Sequence, residues 1–191
     1  MGWGQTFTCP DGVERINLFA AVVYIPDPLA KFLDDLRKEM VLGCVVRAHV
    51  TVLPPRPLHV APEAAVSAAR SIAEDFAPFE IEAGEVEIFR ATDVIYIGIK
   101  KGVDHLREMY RALNRGPLAF QEPFAYHPHI TLAQGLVPEQ VEKLYRLARD
   151  QWEAFPHAKR LFADRVHFVQ STNACTWLDI AEFSLRGVPV P

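Results

Sequence analysis

The sequence lacks any long hydrophobic run. Its most apolar stretch, Leu18 to Ile25, stops at Pro26 and falls short of the ~20 residues that a membrane-spanning helix needs. No basic segment followed by an apolar one opens the chain, so a secretory signal is not expected. Cysteine is scarce. Cys9, Cys44 and Cys175 show no metal-binding spacing and, being three, cannot all pair. Reduced thiols and a cytoplasmic location are the expectation. Positive charge is in deficit, with 20 Lys and Arg against 24 Asp and Glu, a net charge of −4. That argues against a broad basic field for a long nucleic acid and favours a small or terminal substrate. Apolar residues are plentiful at 50%. They suffice for a packed core in a single domain over residues 1–191, built as one body or two fused lobes.

The pattern along the chain reads as alternating strands and helices. Met1 to Glu14 is expected as a loop or arm, with Trp3 packing back on the body. Ile16 to Ile25 reads as a central strand. Asp27-Pro28 opens a helix with Leu29, Phe32, Leu33, Leu36 and Met40 at helical spacing, ended by Gly43. A strand follows and is expected to stop at Pro54-Pro55. Ala61 to Phe76 is a second helix. Phe79 to Arg90 and Asp93 to Ile99 pair as a hairpin, with a bend at Gly84. Val103 to Leu113 is a third helix, and 114–123 a loop. A strand over 129–133 and a helix from Pro138 come next. Arg165 to Gln170 and Thr176 to Leu185 are the closing strands. The order is β-α-β-α-β-β-α-β-α-β-β. It reads as a β-α-β-α-β-β unit followed by a similar unit lacking its first strand.

One motif occurs twice. Arg47-Ala48-His49-Val50-Thr51-Val52-Leu53 is repeated in kind by His127-Pro128-His129-Ile130-Thr131-Leu132-Ala133. Each copy reads His-x-Thr-x-Val/Leu. Residues two apart on a strand share a face, so His49 points with Thr51, and His129 with Thr131. Apolar residues take the opposite face. An imidazole and a hydroxyl on one face are costly unless they meet water or a ligand. Two imidazoles near neutral pH can divide the work of general base and general acid. Two Thr hydroxyls can donate to phosphate oxygens. Such a box needs no metal if its donors already stabilise the charge. It suits the opening or closing of a strained phosphodiester.

These two His-x-Thr motifs, with Pro-Pro after the first and Pro before the second His, resemble the two-histidine phosphoesterase superfamily. Within it they are most similar to bacterial 2′-5′ RNA ligase-like proteins and RNA 2′,3′-cyclic phosphodiesterases. The resemblance covers roughly Ile16 to Leu185. It implies an α+β fold of duplicated, two-lobed architecture, each lobe a mostly antiparallel sheet backed by helices, with a central groove. It implies metal-independent hydrolysis of a 2′,3′-cyclic phosphate, with reversible 2′-5′ ligation by the same groups. His49 and His129 would be catalytic, Thr51 and Thr131 would bind phosphate, and no cofactor would be required. The partner would be a nucleotide or RNA terminus carrying a cyclic phosphate. No membrane and no obligate protein partner are implied.

Further residues are candidate substrate contacts. Arg47, two before His49, can aim at a phosphate or form a surface ion pair. Arg56 can lean over the groove from its loop. Tyr126 can stack on a base or pack in the core. His127 shares the face of His129. A His-x-His pair is half a metal site, but no third ligand stands nearby, so metal is not expected. Three rival functions stay open: a phosphodiesterase for another small cyclic nucleotide or ADP-ribose cyclic phosphate, a silent nucleotide- or RNA-binding module, and a His-rich metal protein.

Overall fold

The computed structural model describes residues 12–188. The expected arm with Trp3, and Cys9, lie outside the described residues. Cys44 and Cys175 are free thiols.

Among the described residues, eight strands and four α-helices follow one another as β1 (Arg15–Tyr24), α1 (Leu29–Met40), β2 (His49–Arg56), α2 (Pro62–Ala73), β3 (Phe79–Phe89), β4 (Val94–Lys101), α3 (Val103–Leu113), β5 (His129–Ala133), α4 (Pro138–Ala154), β6 (Arg160–Ala163), β7 (Arg165–Thr172) and β8 (Trp177–Ser184). They build an α+β fold with two four-stranded antiparallel sheets, in the orders β2-β1-β7-β8 and β5-β4-β3-β6. Helices back both sheets, and they cross over: α1 packs on β5 of the other sheet, and α3 on β2.

Local chemistry explains most of the elements. Asp27 accepts the Lys31 amide on Oδ1 at 3.0 Å, closing the first turn of α1. Leu29, Leu33, Leu36 and Met40 then form its buried stripe. The register of β3 on β4 slips between Ala83 and Val86, around Gly84. That glycine sits so close to β4 that a Cβ would meet the Gly98 carbonyl at 3.3 Å.

Three sequence expectations are corrected. First, β2 continues through Pro54-Pro55 to Arg56. It is an edge strand, where a residue without an N–H does not interrupt a ladder. Second, β6 pairs with β3 from Phe79↔Ala163 to Glu82↔Arg160. Four residues with Phe162 turned to solvent carry too little pattern to be read as a strand. Third, the sheets are not successive halves of the chain. One sheet joins β1 and β2 to β7 and β8, while the other holds β3 to β6. The repeat is β1-α1-β2 against β4-α3-β5, so β4 supplies the strand that the second unit had been expected to lack.

Candidate active site

The two motif strands are the facing edges of the two sheets. His49 lies opposite Tyr24 and Thr51 opposite Val22 on β1. His129 lies opposite Gly98 and Thr131 opposite Tyr96 on β4. Directly opposed residues share a face, so each motif's His and Thr look away from the core that holds Val50, Val52, Ile130 and Leu132. All four side chains line one groove of about 720 Å³, within the ~300–1,000 Å³ typical of small-molecule sites. The segment before β5 is tied to β2 where Tyr126 donates its hydroxyl to the Thr51 carbonyl at 2.8 Å.

The imidazoles are held alike. His49 Nδ1 lies 2.7 Å from the Arg47 carbonyl, and His129 Nδ1 lies 2.6 Å from the His127 carbonyl. A carbonyl only accepts, so Nδ1 of each ring carries the proton. Nε2 is then left with its lone pair when the ring is neutral, and with a transferable proton when it is charged. Among the described residues neither Nε2 has a protein partner, and neither Thr51 nor Thr131 spends its hydroxyl on a protein hydrogen bond. Four unspent groups in one groove can serve a tetrahedral anion with two proton-transfer groups and two donors.

The surroundings of the two rings differ. His49 is 9% exposed, with Trp177 packed against it at a centroid distance of 4.7 Å. Burial, the Arg37 charge and His129 pull its pKa down to about 4, against the Arg47 hydrogen bond. His129 is half-buried and flanked by Phe89 and Tyr96 at 5.1 and 5.4 Å. Burial first, then the neighbouring His127, lower its pKa as well.

The remaining candidates take other places. Arg47 is exposed; its guanidinium covers the Tyr24 ring at 3.8 Å and pairs with Asp179 at 3.7 Å. His127 is exposed, 6.3 Å from the His129 ring, and contributes its carbonyl. Tyr126 stacks on Tyr110 at 4.3 Å, so that ring face is occupied. Arg56 does not lean over the groove. It is 1% exposed and donates to Pro54 O at 3.0 Å, Asn114 Oδ1 at 2.6 Å, Leu118 O at 2.8 Å and Glu122. Its guanidinium is consumed in anchoring the 114–122 loop. No group of three metal-ligating side chains is brought together among the described residues.

The structure adds residues that the motifs do not announce. Trp177 backs His49. Arg37, from the last turn of α1, lines the groove with His49 and Thr51. A cation four residues after Leu33 and three before Met40, on the apolar stripe of a helix, was the available signal. Among the described lining residues no carboxylate appears, and Arg37 carries the one permanent charge.

The fold has solved relatives. E. coli LigT in its apo form superimposes with a TM-score of 0.60 at 14% identity, covering 91% of this chain and 98% of that one. The same protein complexed with NADP+ gives 0.61 at 16%, covering 90% and 99%. TT0787 of Thermus thermophilus gives 0.59 at 17%, covering 90% and 100%. No curated protein sequence matches the chain. No helix among the described residues is long and apolar enough to cross a membrane. Residues 25–174, well over half of the sequence, match the family model of the 2′-5′ RNA ligase superfamily, and the chain belongs to that superfamily.

Proposed function

We propose that this protein hydrolyses a 2′,3′-cyclic phosphate, on a nucleotide or an RNA end, to a monoester without a metal ion. The observation that carries the reading is the matched pair of imidazoles. Each holds its Nδ1–H on the carbonyl two residues back and leaves Nε2 open beside an unspent Thr hydroxyl.

The roles divide by environment. His49, the more buried ring, stays neutral well below pH 7 and suits the base. It takes a proton from water as the water oxygen attacks phosphorus. The P–O bond to one ribose oxygen breaks, and His129 gives that oxygen its proton. An anionic phosphate in the groove favours the charged form of His129. Thr51 and Thr131 donate to the non-bridging oxygens, whose charge grows in the transition state. With a 5′-hydroxyl in place of water as the nucleophile and the 3′-oxygen as the leaving group, the same groups give 2′-5′ ligation, and that step reversed cleaves a 2′-5′ diester back to the cyclic phosphate. E. coli LigT, solved with 3′-AMP, supports a nucleotide as the class of ligand.

The test is a panel of 2′,3′-cyclic mononucleotides, cyclic-ended RNA and 2′-5′-linked dinucleotides, assayed in EDTA with products identified by phosphate position. Turnover is expected in chelator. His49→Ala and His129→Ala should each cost about 10²–10⁴ in rate. The double variant should match the singles, because groups acting as a unit are non-additive. Activity lost in EDTA and restored by a divalent ion, or no turnover anywhere in the panel, would refute the reading.

A further inference from the structure

Arg37 is built unlike an ordinary structural arginine. It is 7% exposed, yet only one protein hydrogen bond is made by its guanidinium among the described residues, from Nη1 to the Val46 carbonyl at 2.7 Å. The nearest carboxylate oxygen, Asp34 Oδ1, is 3.9 Å away and already accepts the Ala48 amide at 2.7 Å. Nε is buried with no partner. Arg56 provides the contrast within the same chain, since it is buried more deeply yet satisfied on all three nitrogens. A guanidinium has five N–H donors. Desolvating it without acceptors is costly, and the free Nη donors, of which only one on Nη1 is spent, stand at the wall of a groove and match a phosphate.

On the proposed reading the reacting phosphate does not need the guanidinium fork, because Thr51, Thr131 and the two imidazoles supply its donors from the same groove. We propose that Arg37 forms a second phosphate subsite, selecting substrates that carry another phosphate group beyond the reacting one. The identity of the first subsite's occupant rests on the cyclic phosphodiesterase reading above. Two sources share the required chemistry: a 5′-phosphate on a mononucleotide, and the neighbouring diester of an RNA end. No bond forms or breaks at Arg37, so its contribution is made equally in ground and transition states. It therefore acts mainly on KM.

The experiment compares three substrates: a nucleoside 2′,3′-cyclic phosphate, the same compound with a 5′-phosphate, and a dinucleotide with a cyclic end. The quantity read is the ratio of kcat/KM for each two-phosphate substrate to that of the first. A charge-assisted hydrogen bond corresponds to about 10–100-fold. The wild-type protein should show that preference for at least one two-phosphate substrate, carried by KM. Preference for the 5′-phosphorylated mononucleotide identifies the terminal monoester, and preference for the dinucleotide identifies the chain diester. Arg37→Met should bring the ratio close to one. Arg37→Lys, which keeps the charge and loses the fork, should retain part of it. Because a ratio is read, any general loss of rate through the Val46 loop cancels. A wild-type ratio near one overturns the subsite, as does a ratio unchanged in Arg37→Met. Should Arg37→Met fail to fold, an unchanged ratio in Arg37→Lys overturns it equally. If no substrate is turned over, the reaction reading has failed, and calorimetry decides the subsite separately. Adenosine 2′,5′-bisphosphate should then bind about 10–100-fold tighter than 2′-AMP, and less so in Arg37→Lys. Equal binding of the two nucleotides overturns the subsite.

Discussion

Burial of His49 ties the stability of the protein to pH. The folded chain keeps this ring neutral down to about pH 4, whereas an unfolded chain protonates it near its ordinary value of about 6.5. Between those values the unfolded state binds more protons, so stability must fall as pH falls. Above the window the ring is neutral in both states and nothing is lost. Below the window the loss is complete. A drop of this size, at about 1.4 kcal/mol per pH unit, amounts to ~3 kcal/mol, a large share of the ~5–15 kcal/mol that keeps a domain folded. His129, lowered in the same direction, adds to the effect with the same sign. The measurement is urea unfolding at pH steps from about 8 to about 4, on wild type and His49→Asn. Asparagine keeps an N–H for the Arg47 carbonyl but does not titrate. Carboxylates contribute equally to both proteins, so the difference between the curves isolates His49. That difference should move by ~3 kcal/mol against the wild type on acidification, and the His49 ring resonance should titrate near pH 4. A resonance titrating near 6.5, or a difference that does not change with pH, would refute the assignment of a neutral, buried base.

Two further expectations follow from groups described above. Thr51→Ala and Thr131→Ala should each lower kcat by about 10²–10³, the cost of one lost oxyanion donor, while the Ser variants, which keep the hydroxyl, stay much closer to wild type. Equal effects of Ala and Ser in steady-state assays would point to packing instead. Arg56→Met should destabilise the fold by ~3–5 kcal/mol in thermal or urea unfolding, because Glu122 is left half-buried without its partner; a loss confined to substrate binding at unchanged stability would contradict the anchoring role.

The paired His-x-Thr strands were legible because alternation is local: two residues apart on a strand means one face, wherever the strand goes. Helices α1 to α4 were legible for the same reason, through their apolar stripes. Sheet membership was not, since β1 pairs with β7 through contacts that no local pattern encodes. Arg56 was misread on similar grounds. Its partners Asn114, Leu118 and Glu122 are distant in sequence, and a charged residue after Pro-Pro looks like a surface residue until they are seen around it. Trp177 gave no signal either, being brought to His49 only by the docking of β8 beside β7. Arg37 could have been found, because its place on the buried stripe of α1 contradicts its charge.

The interleaving of the sheets has a consequence for how the molecule is made. Strands β3, β4 and β5 are consecutive and pair with their sequence neighbours, so three strands of their sheet can form soon after that segment leaves the ribosome, with β6 returning later to the edge of β3. Strand β1 must instead wait for β7, far along the chain, and until then one of its edges stands unpaired. Closing so long a loop costs little stability, since each doubling of length adds only ~0.6 kcal/mol, but non-local pairing slows folding. An apolar strand left open in the meantime is a site for wrong partners. One half of the groove, with His129 and Thr131, is thus free to form early. The strand pair with His49 and Thr51 can form as locally, β2 on β1, but it gains its full sheet only when β7 and β8 dock on the open edge of β1.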